Sequence, residues 1–160
     1  MIDYEFEYLL LQVENRGYPE SPLLLPQEMV GGEDEDEHSW RVVLASMILN
    51  DEAIWKFLID WPRAHNVAFA PSDAHRRMAR YLRPLGSHHK RTKEIVEMSR
   101  QWIMGLRPPE IDGNSQYVID AYRIFVENQI NVAPQDAKLA RYVSWRHIEN
   151  SRAHRSGITG

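Results

Sequence analysis

Cysteine does not occur in this sequence, which excludes disulfides, thiolate zinc sites and cysteine-ligated iron–sulfur clusters. Long apolar runs are missing too: none approaches the roughly 18 residues that a membrane-spanning helix needs. The opening Met1-Ile2-Asp3-Tyr4-Glu5 lacks the basic-then-apolar order of a secretory signal. Alternating polar and apolar runs are absent, so no strands are expected, and no repeat of about 20 to 50 residues points to a solenoid. Glycine-rich nucleotide loops and Ser/His/Asp motifs are not found either. These absences lead to the expectation of an intracellular protein held by packing alone. It would be nuclear in a eukaryote and otherwise in the cytoplasm or nucleoid, with no membrane contact and no cofactor.

At 160 residues the chain is long enough for one buried core and too short for two ordinary domains. Its net charge of −4 is unevenly distributed. Residues 1–60 carry 14 acids against 3 bases, whereas residues 61–160 carry 16 bases against 9 acids. Residues 63–93 alone hold 8 bases and the single acid Asp73. A basic segment of this kind suits a phosphate backbone, because Lys and Arg displace its counterions. It is equally compatible with a solvated helix face.

Helical periodicity dominates the pattern. A first helix is predicted over 4–13, ended by Asn15-Arg16-Gly17. Pro19, Pro22 and Pro26 then break the chain, and Gly31-Gly32 followed by the acidic run 33–37 reads as a mobile loop. From Ser39, taken as an N-cap, the residues Trp40, Val43, Leu44, Met47 and Ile48 recur on one helical face. Asn50-Asp51-Glu52 restarts a short helix closed by Trp61-Pro62. Further helices are predicted over 72–82 with Ser72 capping, 90–104, 114–127 and 134–148. The expected fold is a compact all-α domain over 39–150, with residues 1–38 as an amino-terminal helix and acidic segment packed on it and 151–160 as a frayed tail. A monomer is expected.

Two places could carry chemistry. The segment Pro109-Glu110-Ile111-Asp112-Gly113-Asn114-Ser115-Gln116-Tyr117 lies between two helices, so that a tight turn at Gly113 exposes the free N–H groups of the next helix to a phosphate oxygen. A plain helix corner with a glycine cap explains the same residues. Downstream, Pro134-Gln135-Asp136-Ala137-Lys138-Leu139 sets a carboxylate at a helix start, where dipole stabilisation alone is sufficient reason for it. His88-His89 lacks further donors at metal-ligating spacing, so no metal site is expected.

Together these pieces resemble the helix-hairpin-helix DNA glycosylase superfamily, and most closely the glycosylase domain of the methyl-CpG-binding thymine/uracil mismatch enzymes. The resemblance runs from Pro19 to about Asn150 in ordered blocks. These are Pro19-Glu20-Ser21-Pro22 with Gln27-Glu28, the helix 40–50 ending Ile48-Leu49-Asn50, Trp55-Lys56-Phe57-Leu58, Leu82-Arg83-Pro84-Leu85-Gly86, Arg91-Thr92-Lys93-Glu94-Ile95-Val96, the hairpin, Tyr122-Arg123-Ile124-Phe125 and the Asp136 segment. The resemblance implies Asp136 as the catalytic carboxylate, Lys138 as a phosphate contact and Tyr117 where bifunctional relatives keep a Schiff-base lysine. A phenol cannot form an imine, so a base-only glycosylase on double-stranded DNA is implied, removing a mismatched or damaged pyrimidine. Gly113, Asn114, Ser115 and Gln116 would grip the backbone, with Arg91, Lys93, Ser87 and His88 also on DNA and Asn50 in the base pocket.

Three departures stand out. Ser115 replaces the hairpin's second glycine, which would resist close backbone approach. Only Asp51, Glu52 and Ala53 separate Asn50 from Ile54, where relatives have about two more helical turns of pocket-lining residues. Ser87-His88-His89 stands where relatives place an apolar wedge. They keep two other readings open: a DNA-binding module that has lost catalysis, and a helical interaction domain whose acidic amino-terminal half recruits a basic partner.

Overall fold

The computed structural model describes residues 21–111 and 113–155, together with Glu7, Leu11 and Gln12. Seven α-helices and no strands occur among these residues: α1 (Glu35–Ile48), α2 (Asp51–Asp60), α3 (Ala64–Ala68), α4 (Ser72–Leu82), α5 (His88–Ile103), α6 (Gln116–Phe125) and α7 (Ala137–Arg155). Three 3₁₀ turns punctuate them, at Pro26–Glu28, Arg83–Leu85 and Pro108–Glu110, each with a proline at its first or second position. The predicted first helix over 4–13 falls mostly outside the described residues, although Glu7, Leu11 and Gln12 are helical.

Helix α1 is the axis of the domain. Trp40, Val42, Val43, Leu44, Ala45 and Ile48 are all buried, so the helix is apolar around most of its circumference and is packed on several sides. It contacts α2, α5, α6 and the Pro26–Glu28 turn. The Trp40 indole donates to Ser99 Oγ of α5 at 3.1 Å, which satisfies a polar atom inside the core. A smaller cluster of Leu25, Ala121, Ile124, Leu139, Tyr142 and Val143 joins α6 to α7, while Val118 and Tyr122 on the other side of α6 pack into the main core. Helix α6 therefore ties α7 to the rest of the domain.

The acidic run is ordered, contrary to the mobile loop expected from its composition. Asp34, not Ser39, caps α1, its Oδ1 accepting from Glu37 N at 2.8 Å, and Glu35, Asp36 and Glu37 fill the first turn, where the helix dipole favours anions. Glu37 is buried with Arg41, its Oε1 lying 3.5 Å from Arg41 Nη2 and 3.1 Å from Arg63 Nε. The wholly buried Arg41 donates from Nε to Pro62 O at 3.1 Å and from Nη1 to Gln12 Oε1 at 2.6 Å and Val30 O at 3.1 Å. Glu33 pairs with Arg63 at 2.6 Å. Asp36 accepts from Trp102 Nε1 and Arg107 Nη2, both at 3.2 Å. Glu33, Asp36 and Glu37 are thus engaged within the domain, and helix α1 crosses the expected boundary at residues 38 and 39 without a break.

Other boundaries shift for local reasons. Ser72 is the first residue of α4 and does not cap it; the Pro71 carbonyl accepts from Ala74 N at 2.9 Å instead. The short α3 was not foreseen, and it forms because Ala64, Val67 and Ala68 reach the core while Asn66 Oδ1 accepts from Arg63 N at 3.0 Å. Helix α7 begins three residues after 134 and continues through the expected tail to Arg155.

Removing the Arg41 side chain leaves Glu37 buried beside one partially exposed arginine and strands the Val30 and Pro62 carbonyls. Arg41→Ala is therefore expected to cost about 3 to 5 kcal/mol of unfolding free energy, against about 1 kcal/mol for Asp34→Ala, which removes only a cap. Urea denaturation of the two variants should show this order.

Candidate active site

The hairpin begins where the Pro108–Glu110 turn and buried Ile111 anchor the chain to the core. Asn114 Nδ2 donates to Pro108 O at 3.3 Å and closes the loop. Gly113 has φ +86°, a left-handed conformation that side chains disfavour, and no atom lies within 4 Å of where a Cβ would sit, so the backbone is open to an approaching group. Ser115 has φ −71° and ψ 159°, so nothing in its backbone requires glycine. Its Oγ accepts from Val118 N at 3.3 Å and caps α6. The serine thus occupies one amide and leaves those of Gln116 and Tyr117, the first two of the helix, without an intrahelical acceptor. The Gln116 side chain turns back along α6 to Asp120 Oδ1 at 2.9 Å.

Tyr117 stands on the first turn of α6, half-buried against the cluster that contains Leu139. Its hydroxyl accepts from Gln27 Nε2 at 2.9 Å, and the same nitrogen lies 3.2 Å from Ser46 Oγ of α1. Gln27 is 1% exposed, and its Oε1 is buried without a hydrogen-bond partner. A buried acceptor left unpaired is costly and calls for a donor from elsewhere. Apart from its place in a block of the resemblance, this glutamine has no cue to its role in the sequence, since a lone amide in a proline-rich stretch has no periodicity.

Asp136 is the residue before α7. Its Oδ2 accepts from Leu139 N at 3.0 Å and its carbonyl from Ala140 N at 2.9 Å, which makes it the N-cap rather than a first-turn residue. No donor among the described residues reaches Oδ1, and the residue is partly exposed. Burial raises the Tyr117 phenol above its ordinary value, the Gln27 hydrogen bond opposes this, and the Asp136 charge raises it further. Tyr117 also packs against the cluster that holds Leu139, the residue whose amide Asp136 caps, which brings the start of α7 toward the start of α6.

A cleft of about 540 Å³ opens between the end of α1, the start of α5 and the hairpin; Tyr117 lines it, and Asp136 is not among its lining residues. Ser46, Met47 and Leu49 form one wall, Ser87 and Arg91 another, and Gly113, Asn114, Ser115 and Tyr117 the third. Two non-glycine residues on its rim, Leu49 at φ 56° and Ser87 at φ 47°, are left-handed. Arg91 braces both segments, donating from Nη1 to Met47 O at 3.0 Å and from Nε to Gly86 O at 3.2 Å. The His88 and His89 rings lie 4.3 Å apart between centroids, inclined at 45° to each other.

The remaining expected site residues fall elsewhere. Asn50 is exposed and caps α2, its Oδ1 accepting from Ala53 N at 2.9 Å. Lys138 is exposed on the first turn of α7, two residues from Asp136. Lys93 lies not in the cleft but in a second groove, between α4 and α5. No cluster of three or more histidines and carboxylates suited to a metal ion occurs among the described residues, and none of the described helices is long and apolar enough to cross a membrane. No family model matches the chain.

The neighbourhood of Asp136 and Tyr117 has a spectroscopic consequence. In Asp136→Asn the charge that helps to raise the Tyr117 phenol is gone, so this tyrosine should titrate at lower pH than in the wild type when followed by phenolate absorbance, with Tyr117→Phe identifying its contribution. A phenol raised on folding stabilises the fold below its unfolded value, near pH 10, and the stabilisation is lost as pH rises through the folded value. Both proteins should begin to lose this stabilisation near the unfolded value, and Asp136→Asn, whose folded value is lower, should lose less of it as the pH rises further.

Proposed function

We propose that the chain is a monofunctional DNA glycosylase that removes a mismatched or damaged pyrimidine of the uracil or thymine type from duplex DNA. The observation that carries this reading is the Asp136 carboxylate, fixed through one oxygen as the cap of α7 and close enough in charge to raise the Tyr117 phenol at the start of α6. It agrees with the resemblance to helix-hairpin-helix glycosylases in the order and type of these residues. In this reading the unpaired amides of Gln116 and Tyr117 take a phosphate, Lys138 neutralises its neighbour, and the target nucleotide turns out of the stack into the cleft.

The C1′–N1 bond then breaks with its electron pair leaving on the base, and positive charge develops on the sugar. Asp136 stabilises that charge and orients a water. The water oxygen bonds to C1′ and its proton passes to the carboxylate. Tyr117 remains a neutral phenol and cannot form an imine, so the backbone stays intact. Base release from duplexes carrying uracil or thymine opposite guanine tests the reading. Asn caps a helix as well as Asp does, so Asp136→Asn should fold, bind duplex and lose roughly 10²-fold or more in rate. Absence of release by the wild type, or full release by the variant, refutes catalysis.

A second reading, a DNA-binding module on the same scaffold, is favoured by α2 starting at Asp51, one residue after the end cap of α1, with Asn50 committed to capping. It shares the backbone grip without the chemistry. Under either reading Lys138→Ala should lower the slope of log K against log salt by about 1, and base release distinguishes the two.

A further inference from the structure

Helix α5 borders two depressions on different faces. Ser87, Lys90, Arg91 and Glu94 look into the hairpin cleft, whereas His89, Lys93, Val96 and Arg100 line a groove of about 460 Å³ against α4. Glu97 sits on the edge between them. At about 100° per residue these two sets point to well-separated sides of the helix.

The groove has an apolar floor and a cationic rim. Ala79 and Val96 are buried at its base, with Thr92, whose hydroxyl donates to His88 O at 2.7 Å and so leaves its methyl as the available surface. Arg76 from α4 and Lys93 from α5 stand exposed on its two sides, and neither has an ion pair or hydrogen bond among the described residues. Arg100 closes one end, 4.0 Å from Glu97, the only acid of the lining. His75 also faces the groove, and its Nε2 is buried without a partner.

We propose that this groove docks an acidic peptide segment of a partner protein, an apolar side chain entering over Ala79 and Val96 while its carboxylates meet Arg76, Lys93 and Arg100. Charge complementarity selects an anionic partner. The floor selects a peptide over a nucleic acid, because a sugar-phosphate backbone has no apolar side chain to bury there. The position on α5 allows both partners at once, since a duplex gripped by the hairpin lies on the other face. The inference does not depend on catalysis in the cleft.

The test is fluorescence anisotropy of the full chain with a labelled 12-residue peptide alternating Glu and Leu. Arg76 and Lys93 are exposed, so the Arg76→Glu/Lys93→Glu variant keeps its packing. The peptide should bind the wild type, weaken with salt and bind the double variant at least tenfold less tightly. A peptide with Lys in place of Glu should not bind. Absence of binding by the acidic peptide at millimolar concentration, equal binding by the double variant, or displacement of the peptide by a short single-stranded oligonucleotide each overturns the proposal.

Discussion

The buried guanidinium of Arg41 is the constraint on which the rest of the architecture depends. It sits inside α1 and binds Gln12, the Val30 and Pro62 carbonyls and, through charge, Glu37. A cation taken out of water is tolerated only when its donors are met and its charge is compensated. The irregular segment before α1 and the chain after α2 are thereby drawn to one point. With α1 fixed at that end, its other end delivers Ser46, Met47 and Leu49 to the wall of the cleft.

The same logic sets the polar centre. Gln27 is carried by the Pro26–Glu28 turn, which packs on α1 and α6, and its amide reaches Ser46 of the first and Tyr117 of the second. The shape of the cleft is thus coupled to three elements distant in sequence. Burial holds the Tyr117 phenol protonated, and the neighbouring carboxylate acts in the same direction. In a partly dehydrated setting each such contact counts for more than it would in open water.

The helical character, the core face of α1 and the hairpin could be read from the sequence because each depends on near neighbours: Trp40, Val43, Leu44 and Ile48 recur at helical spacing, and Gly113 marks its own turn. The acidic run could not be read correctly, because Glu37 and Asp36 acquire their roles from Arg63 and Arg107, far along the chain. Ser115 was judged by the glycine it replaces, whereas its observed torsion makes it an ordinary cap. Arg91 and Lys93 looked equivalent as neighbouring bases, and only the rotation of α5 separates a brace across the cleft from a free cation on another face. Helix α3 was invisible for a simpler reason, since five residues between a proline and a serine carry too little periodicity to register.

Asp136 has two duties in the proposed reaction, and they compete. While charged, it receives the Leu139 amide and closes the first turn of α7. On taking a proton from the attacking water it becomes a weaker acceptor, so the helix loosens where the sugar has just reacted and tightens again when the proton departs. The cap of one helical turn would then weaken and recover with each protonation of the carboxylate in the proposed reaction.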